Sequence, residues 1–260
     1  MTTSAVLSLK GGVGKTTTIL GLASAASARG SVETLVIDLD PQCNASEALG
    51  VSYPVDHPTA AELMNNTATA ENVVVPSSWD RVSVIAGDLD LADFDTVNGI
   101  GVEQRLRTAL RHPAVADRFD LVLIDCPPSL GKLVSNALVA ADSALVATEP
   151  SFMASRGVAK VMTAVEAIQR YYNPGLTVAG VLLGRVPARG REAAHRTSEI
   201  REALGELVLP LTVPLRAAIA EAVGDGRPIH QVRPPVPEAT AAFDAALDRI
   251  MLGDSDNGSN

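Results

Sequence analysis

Six short apolar runs rich in β-branched residues recur along the chain, at residues 5–9, 34–37, 82–85, 121–124, 144–147 and 178–183. Strands of this kind have no polar face, so both of their faces must be covered. Stretches with helical patterning lie between them, at 16–29, 102–111, 131–140, 153–171, 192–204 and 238–251. The expectation is an α/β fold: a single doubly wound, mostly parallel β-sheet with helices on both faces. One domain spans residues 1–252 on this reading, and the polar residues 253–260 form a disordered tail. Residues 52–72 are mixed and turn-rich and take no assignment. Aromatic residues make up only 3% of the chain, so the core is expected to be Val, Leu, Ile and Ala.

Between the first apolar run and the first helix lies Lys10-Gly11-Gly12-Val13-Gly14-Lys15-Thr16-Thr17. A phosphate-binding loop of the form G-x-x-x-x-G-K-[ST] ends as this one does, at Gly14-Lys15-Thr16. Its first glycine would fall at position 9, which is Leu9, and Lys10-Gly11-Gly12 replaces it. Strand, loop and helix in this order aim the helix N-terminus at an anion. Two further runs end in acids. Val36-Ile37-Asp38-Leu39-Asp40-Pro41 closes the second strand, and Leu123-Ile124-Asp125-Cys126-Pro127-Pro128 closes the fourth. Ligands of open α/β sheets bind at the carboxyl ends of strands, which brings Asp38, Asp40 and Asp125 toward the loop. An aspartate placed after a hydrophobic strand is a Mg²⁺ partner in phosphate-loop proteins.

The rest of the composition mainly excludes. Met1-Thr2-Thr3-Ser4 lacks the features of a secretory leader, and no run reaches the roughly 18 apolar residues of a membrane span. Cys43 and Cys126 have no metal-type spacing, and His57, His112, His195 and His230 do not cluster. The cysteines read as small buried hydrophobes in a reducing cytoplasm. Net charge is −9, yet it is uneven: residues 1–184 carry 12 basic against 19 acidic groups, whereas 185–201 hold five arginines against two glutamates.

Taken together, the three motifs resemble the ParA family of deviant Walker phosphate-loop ATPases, the branch that also holds MinD. That resemblance implies ATP and Mg²⁺ as cofactors. Lys15 is then the β/γ-phosphate lysine, Thr16 a Mg²⁺ ligand and Thr17 an α-phosphate contact, with Gly11, Gly12, Val13 and Gly14 as the cradle. Asp125 holds Mg²⁺ through water, Asp38 is a second acid near the metal, and Asp40 positions the attacking water. Pro214 matches a proline that packs by the adenine. Lys10 resembles the signature lysine, which crosses an ATP-sandwich homodimer to the partner's phosphates.

The implied function is DNA segregation. An ATP-bound dimer binds duplex DNA without sequence preference, and a ParB-like partner stimulates hydrolysis. The location implied is cytoplasmic and nucleoid-associated. The same machinery also positions other cargo. With the loop starting at residue 10, the N-terminal helix-turn-helix region of longer relatives is not expected. Family arginines in the run I-P-R-N-V-R-L-S-E-A are absent from Val213–Ala222, where Arg216 stands at a new place, and the usual G-K-P is Gly226-Arg227-Pro228. The DNA-contact candidates are therefore Arg189, Arg191, Arg196, Arg216 and Arg227. A MinD-like membrane cycle needs a basic amphipathic terminal helix, and residues 238–251 carry one arginine and an acidic polar face. An iron–sulfur role would need free cysteines at a dimer seam, and Cys43 and Cys126 sit inside the acidic motifs.

Overall fold

The computed structural model describes residues 1–51 and 56–253. The first half runs β1 (Thr2–Leu7), α1 (Lys15–Arg29), β2 (Thr34–Asp38), α2 (Asn44–Ala48), α3 (Ala60–Met64), α4 (Ala70–Val73), β3 (Val74–Pro76), β4 (Val82–Ile85), α5 (Arg105–Leu110) and α6 (Pro113–Ala116). The second half runs β5 (Leu121–Asp125), α7 (Lys132–Ala140), β6 (Ser143–Thr148), α8 (Ala154–Tyr171), β7 (Thr177–Leu183), α9 (Arg191–Leu204), α10 (Ala217–Gly224) and α11 (Pro237–Leu252).

The strands form one sheet in the order β3-β4-β2-β5-β1-β6-β7, parallel throughout except for β3 against β4. Neighbours alternate faces, as the pleat requires. Leu35 and Ile37 of β2 join the core layer that also holds Leu133 of α7 and Val158 of α8. Val36, between them, joins the opposite layer with Ile19 and Leu22 of α1 and Phe243 of α11. That second layer is tight where α11 crosses α1. A Cβ on Gly21 would stand 2.4 Å from the Phe243 ring, so only glycine admits the ring there.

All six strands expected from the sequence are present. The first ends at Leu7 rather than at residue 9, because the chain already turns at Ser8, whose hydroxyl donates to the Lys10 carbonyl at 3.2 Å. The helix expected over 102–111 divides into a 3₁₀ turn, Val102–Gln104, and α5. β3 and the helices α2, α3, α4, α6 and α10 have no counterpart in the sequence pattern, since runs of three to eight residues carry too little periodicity to read. α3 and part of α4 fall within the unassigned stretch 52–72, of which 52–55 lie outside the described residues. The expected disordered tail lies outside the described residues from 254 onward.

Candidate functional site

The loop after β1 turns through Gly12 and Gly14, at φ 76° and 96°. These are left-handed values, at which any side chain is strained. Gly14 caps α1, so the unpaired N–H groups of that helix open into the loop. The loop floors a cleft of about 580 Å³ bounded by Lys10, Gly11, Gly12, Gly14, Lys15, Thr16, Thr17 and Asp40. Gln42, Asn44, Glu47, Pro128 and Arg185 close its sides. Val13 is buried and faces the far side of the loop.

At the floor of the cleft, charge is concentrated and dry. Lys15 is 7% exposed, and its Nζ lies 2.6 Å from Asp125 Oδ1 and 3.2 Å from Asp40 Oδ2. Burial alone would depress this ammonium, but Asp125 and then Asp40 outweigh it and hold Lys15 above the ordinary lysine range. Burial pushes the Asp125 carboxyl up, opposed by Lys15 and by the Thr16 hydroxyl, which donates to Asp125 Oδ2 at 2.8 Å. With a donor on each oxygen, Asp125 is placed to serve as an acceptor.

Asp38 and Asp40 have different surroundings although only Leu39 separates them. Asp38 is fully buried. Its Oδ2 accepts from the Ser46 amide at 2.9 Å and the Ser46 hydroxyl at 2.7 Å, and its Oδ1 accepts from the Asp40 amide at 3.1 Å. Burial first, and the charge of Asp125 second, raise its carboxyl to about 7. Asp40 borders the cleft, with Oδ1 accepting from the Gln42 amide at 3.1 Å and Oδ2 facing Lys15. Asp38 thus pins α2 to β2, while Asp40 is presented to whatever enters the cleft.

The donor set suits Mg²⁺. Thr16 Oγ1 and the Asp125 carboxylate are hard oxygen donors held together, and a Mg²⁺ ion needs only one or two protein ligands beside phosphates and waters. Asp38 fits less well, because its oxygens are already engaged by three donors. Pro214 lies in a smaller groove running on from the cleft over Gly14 and Thr17, with Arg185 and Arg216 beside it. Lys10 stands at the rim, its side chain 61% exposed and its Nζ in contact with Glu149.

The arginines expected at a nucleic-acid surface separate into two groups. Arg189 and Arg191, just before and at the start of α9, are exposed, and no ion pair to either is found among the described residues. Arg196 is tied to Glu199 at 2.7 Å and Glu192 at 3.8 Å and lies 5.4 Å from the Phe152 ring centroid. Arg216 faces Glu238 at 3.9 Å, and Arg227 faces Asp225 at 2.8 Å. Three residues of the site are not among those the sequence singles out: Ser46, Glu149 and Arg185 as a wall of the cleft. Arg185 closely follows β7, and Glu149 directly follows β6, so the strand-end rule points to both. Ser46 carries no such signal.

A parallel sheet whose strand ends gather a glycine-rich loop, a lysine, a threonine and two carboxylates defines a phosphate-loop nucleotide-binding protein. Residues 1–178 match a family model described as an AAA domain. The chain is 31% identical over 251 residues to the sporulation initiation inhibitor protein Soj of Bacillus subtilis, covering 96% of this chain and 98% of Soj. It is 35% identical over 222 residues to the chromosome partitioning protein ParA of Myxococcus xanthus, covering 85% and 77% of the two chains. Its fold matches the ATP complex of McdA(D38A) from Cyanothece with a TM-score of 0.85 at 22% identity, over 96% of each chain. The chain belongs to the ParA/MinD family of phosphate-loop ATPases.

Proposed function

We propose that this chain binds and hydrolyses MgATP as a sandwich homodimer, binds duplex DNA non-specifically in that state, and drives DNA segregation under stimulation by a ParB-like partner. The observation that carries the reading is the pairing of a complete cleft with an additional, exposed lysine at its rim. Lys15, Thr16, Asp40 and Asp125 are gathered within hydrogen-bonding distance, whereas Lys10 stands exposed at the rim with its Nζ against Glu149. Lys15 and the loop amides bind the β/γ-phosphates, and Thr17 the α-phosphate. Thr16 and Asp125 are the residues that would hold Mg²⁺, which when bound would neutralise charge on the phosphate oxygens. Asp40 orients the attacking water, and Lys10 of the other subunit stabilises the charge that develops in the transition state. Arg189 and Arg191 provide the surface that meets DNA phosphates, doubled by dimerisation, and this places the dimer on the nucleoid in the cytoplasm.

The choice of DNA as cargo is supported by the relative named as the chromosome partitioning protein ParA, whereas the likeness to McdA, at 22% identity, bears on the fold alone. A MinD-like membrane cycle is less favoured. No helix among the described residues is long and apolar enough to cross a membrane, and the apolar side of α11 (Ala242, Phe243, Ala246, Leu247, Ile250) is consumed by packing onto α1 and the sheet.

A mixing experiment tests the central claim. Lys10→Ala and Asp40→Ala chains should each bind ATP, and each alone should turn over slowly, the lysine variant losing on the order of 10³-fold of stimulated rate. Mixed in equal amounts they should regain activity, because the intact Asp40 of one meets the intact Lys10 of the other. A mixture as inactive as its components would place Lys10 in its own subunit's reaction and end the sandwich reading.

A further inference from the structure

Glu149 has no part in the chemistry of the cleft, yet it stands between two of its cations. One carboxylate oxygen contacts Lys10 Nζ, and the other lies 3.8 Å from Arg185 Nε. The three residues arrive from three neighbouring strand ends, those of β1, β6 and β7. Arg185 adopts φ 52°, and its side chain lies over the loop, with Cγ 3.7 Å from where a Cβ on Gly14 would sit. So Lys10, the group required to leave its subunit, is held by an acid of that subunit, and a second cation waits beside the same acid.

We propose that Glu149 is a positioning residue that parks Lys10 against its own subunit until dimerisation, and that Arg185 takes over the carboxylate when Lys10 leaves. The inference rests on the trans role proposed for Lys10. A single ammonium cannot touch Glu149 and reach across to a partner's phosphates, so the two contacts compete. Their strengths are unequal. An exposed lysine–carboxylate pair is worth no more than about fivefold in an equilibrium constant, whereas a triphosphate in a closed, dry interface attracts the same lysine far more strongly. Glu149 therefore biases the monomer without blocking the dimer. Without Arg185, the departure of Lys10 would leave an unpaired anion facing the incoming phosphates, which would oppose closure.

The variant Glu149→Gln keeps the shape of a partly exposed side chain and removes its charge. In the nucleotide-free monomer, it should speed acylation of Lys10 by an amine-directed reagent, read by peptide mass spectrometry, because the carboxylate no longer engages the amine. With ATP, sedimentation should give a dimer tighter by about two- to fivefold, and this gain should vanish in the Lys10→Ala background. Unchanged Lys10 labelling, or a gain in dimerisation that survives Lys10→Ala, overturns the proposal. If the wild-type chain fails to dimerise with ATP at all, the sandwich reading has failed, and the labelling comparison still decides whether Glu149 holds Lys10.

Discussion

The phosphate cleft and the arginine-bearing edge around α9 both owe their chemistry to charge, but they hold it differently. In the cleft, Lys15 is almost inaccessible and meets two buried carboxylates, Asp40 and Asp125, at the ends of β2 and β5, which run side by side with Asp38 and Asp125 in register. Outside the cleft, Arg196 on α9, Arg216 before α10 and Arg227 after it each meet an acid that is itself mostly or substantially exposed. Buried charges must be paired, since an isolated one costs several kcal/mol, so their partners are part of the fold. Exposed pairs contribute between zero and about 1 kcal/mol and are screened by salt. The difference teaches that a charge count describes the cleft well and the edge poorly. Five arginines against two glutamates over 185–201 suggest a uniform basic patch. Both glutamates are engaged by Arg196, which leaves Arg189 and Arg191 as the exposed cations at the start of α9.

The largest effect is expected from Lys15→Ala. Nucleotide binding should be abolished, as read by titration with a fluorescent ATP analogue. The nucleotide-free chain should also lose roughly 3–5 kcal/mol of stability, because Asp125 and Asp40 are left buried with no counter-ion. Thermal melting should recover part of that loss as pH is lowered and the Asp125 carboxyl, already pushed up by burial, protonates. A variant that melts like wild type at neutral pH would show that the cleft does not depend on the pair, and cleft and edge would then hold their charge alike.

The same contrast explains which parts of the molecule are legible in the sequence. Continuous apolar runs dictate a covered parallel sheet, and sterics dictate glycine at Gly12 and Gly14, so the cleft and its main residues can be read directly. Asp38 is harder. From sequence it is equivalent to Asp40, and only the approach of Ser46 from α2 separates a structural acid from one that faces the cleft. That contact depends on how a five-residue helix docks, for which no local pattern exists. The pairing of Arg196 is in principle visible as spacings of four and three on one helix, to Glu192 and Glu199. Lys10 with Glu149 is not, being a contact across 139 residues of sequence.

A second, smaller effect sharpens the division within the edge itself. Arg189→Glu with Arg191→Glu should weaken binding of the ATP-bound chain to random duplex and flatten the dependence of log affinity on log salt by roughly 0.9 for each phosphate no longer neutralised. Arg196→Glu should do much less to DNA, since its guanidinium is already committed to Glu192, Glu199 and the Phe152 ring. Filter binding over a salt series separates the two outcomes. If Arg196→Glu matches the double variant, the intrahelical pairs open on DNA, and exposed ion pairs here are poor guides to which arginines are available.

The smallest effect concerns a group between the two extremes. His230 is partly buried between α1 and α11: its amide donates to Ser24 Oγ at 2.9 Å, and its Nδ1 lies 2.8 Å from the same hydroxyl. Its Nε2 is 3.3 Å from Asp244 Oδ1 but without the alignment of a hydrogen bond. Burial lowers the imidazole below its ordinary value, and Asp244 opposes this only in part. The sign of the consequence follows from linkage. In the unfolded chain this histidine takes up a proton near pH 6.5, before the folded one does, so the unfolded state binds more protons just below that pH. Stability contributed by the neutral ring is therefore complete above about pH 6.5 and declines as pH falls through the lowered folded value. His230→Gln, which cannot titrate, should lose less melting temperature than wild type between about pH 7.5 and 5.5. Equal losses in both would mean that Asp244 shields the imidazolium as well as a buried partner would, and that half-burial behaves electrostatically like the cleft.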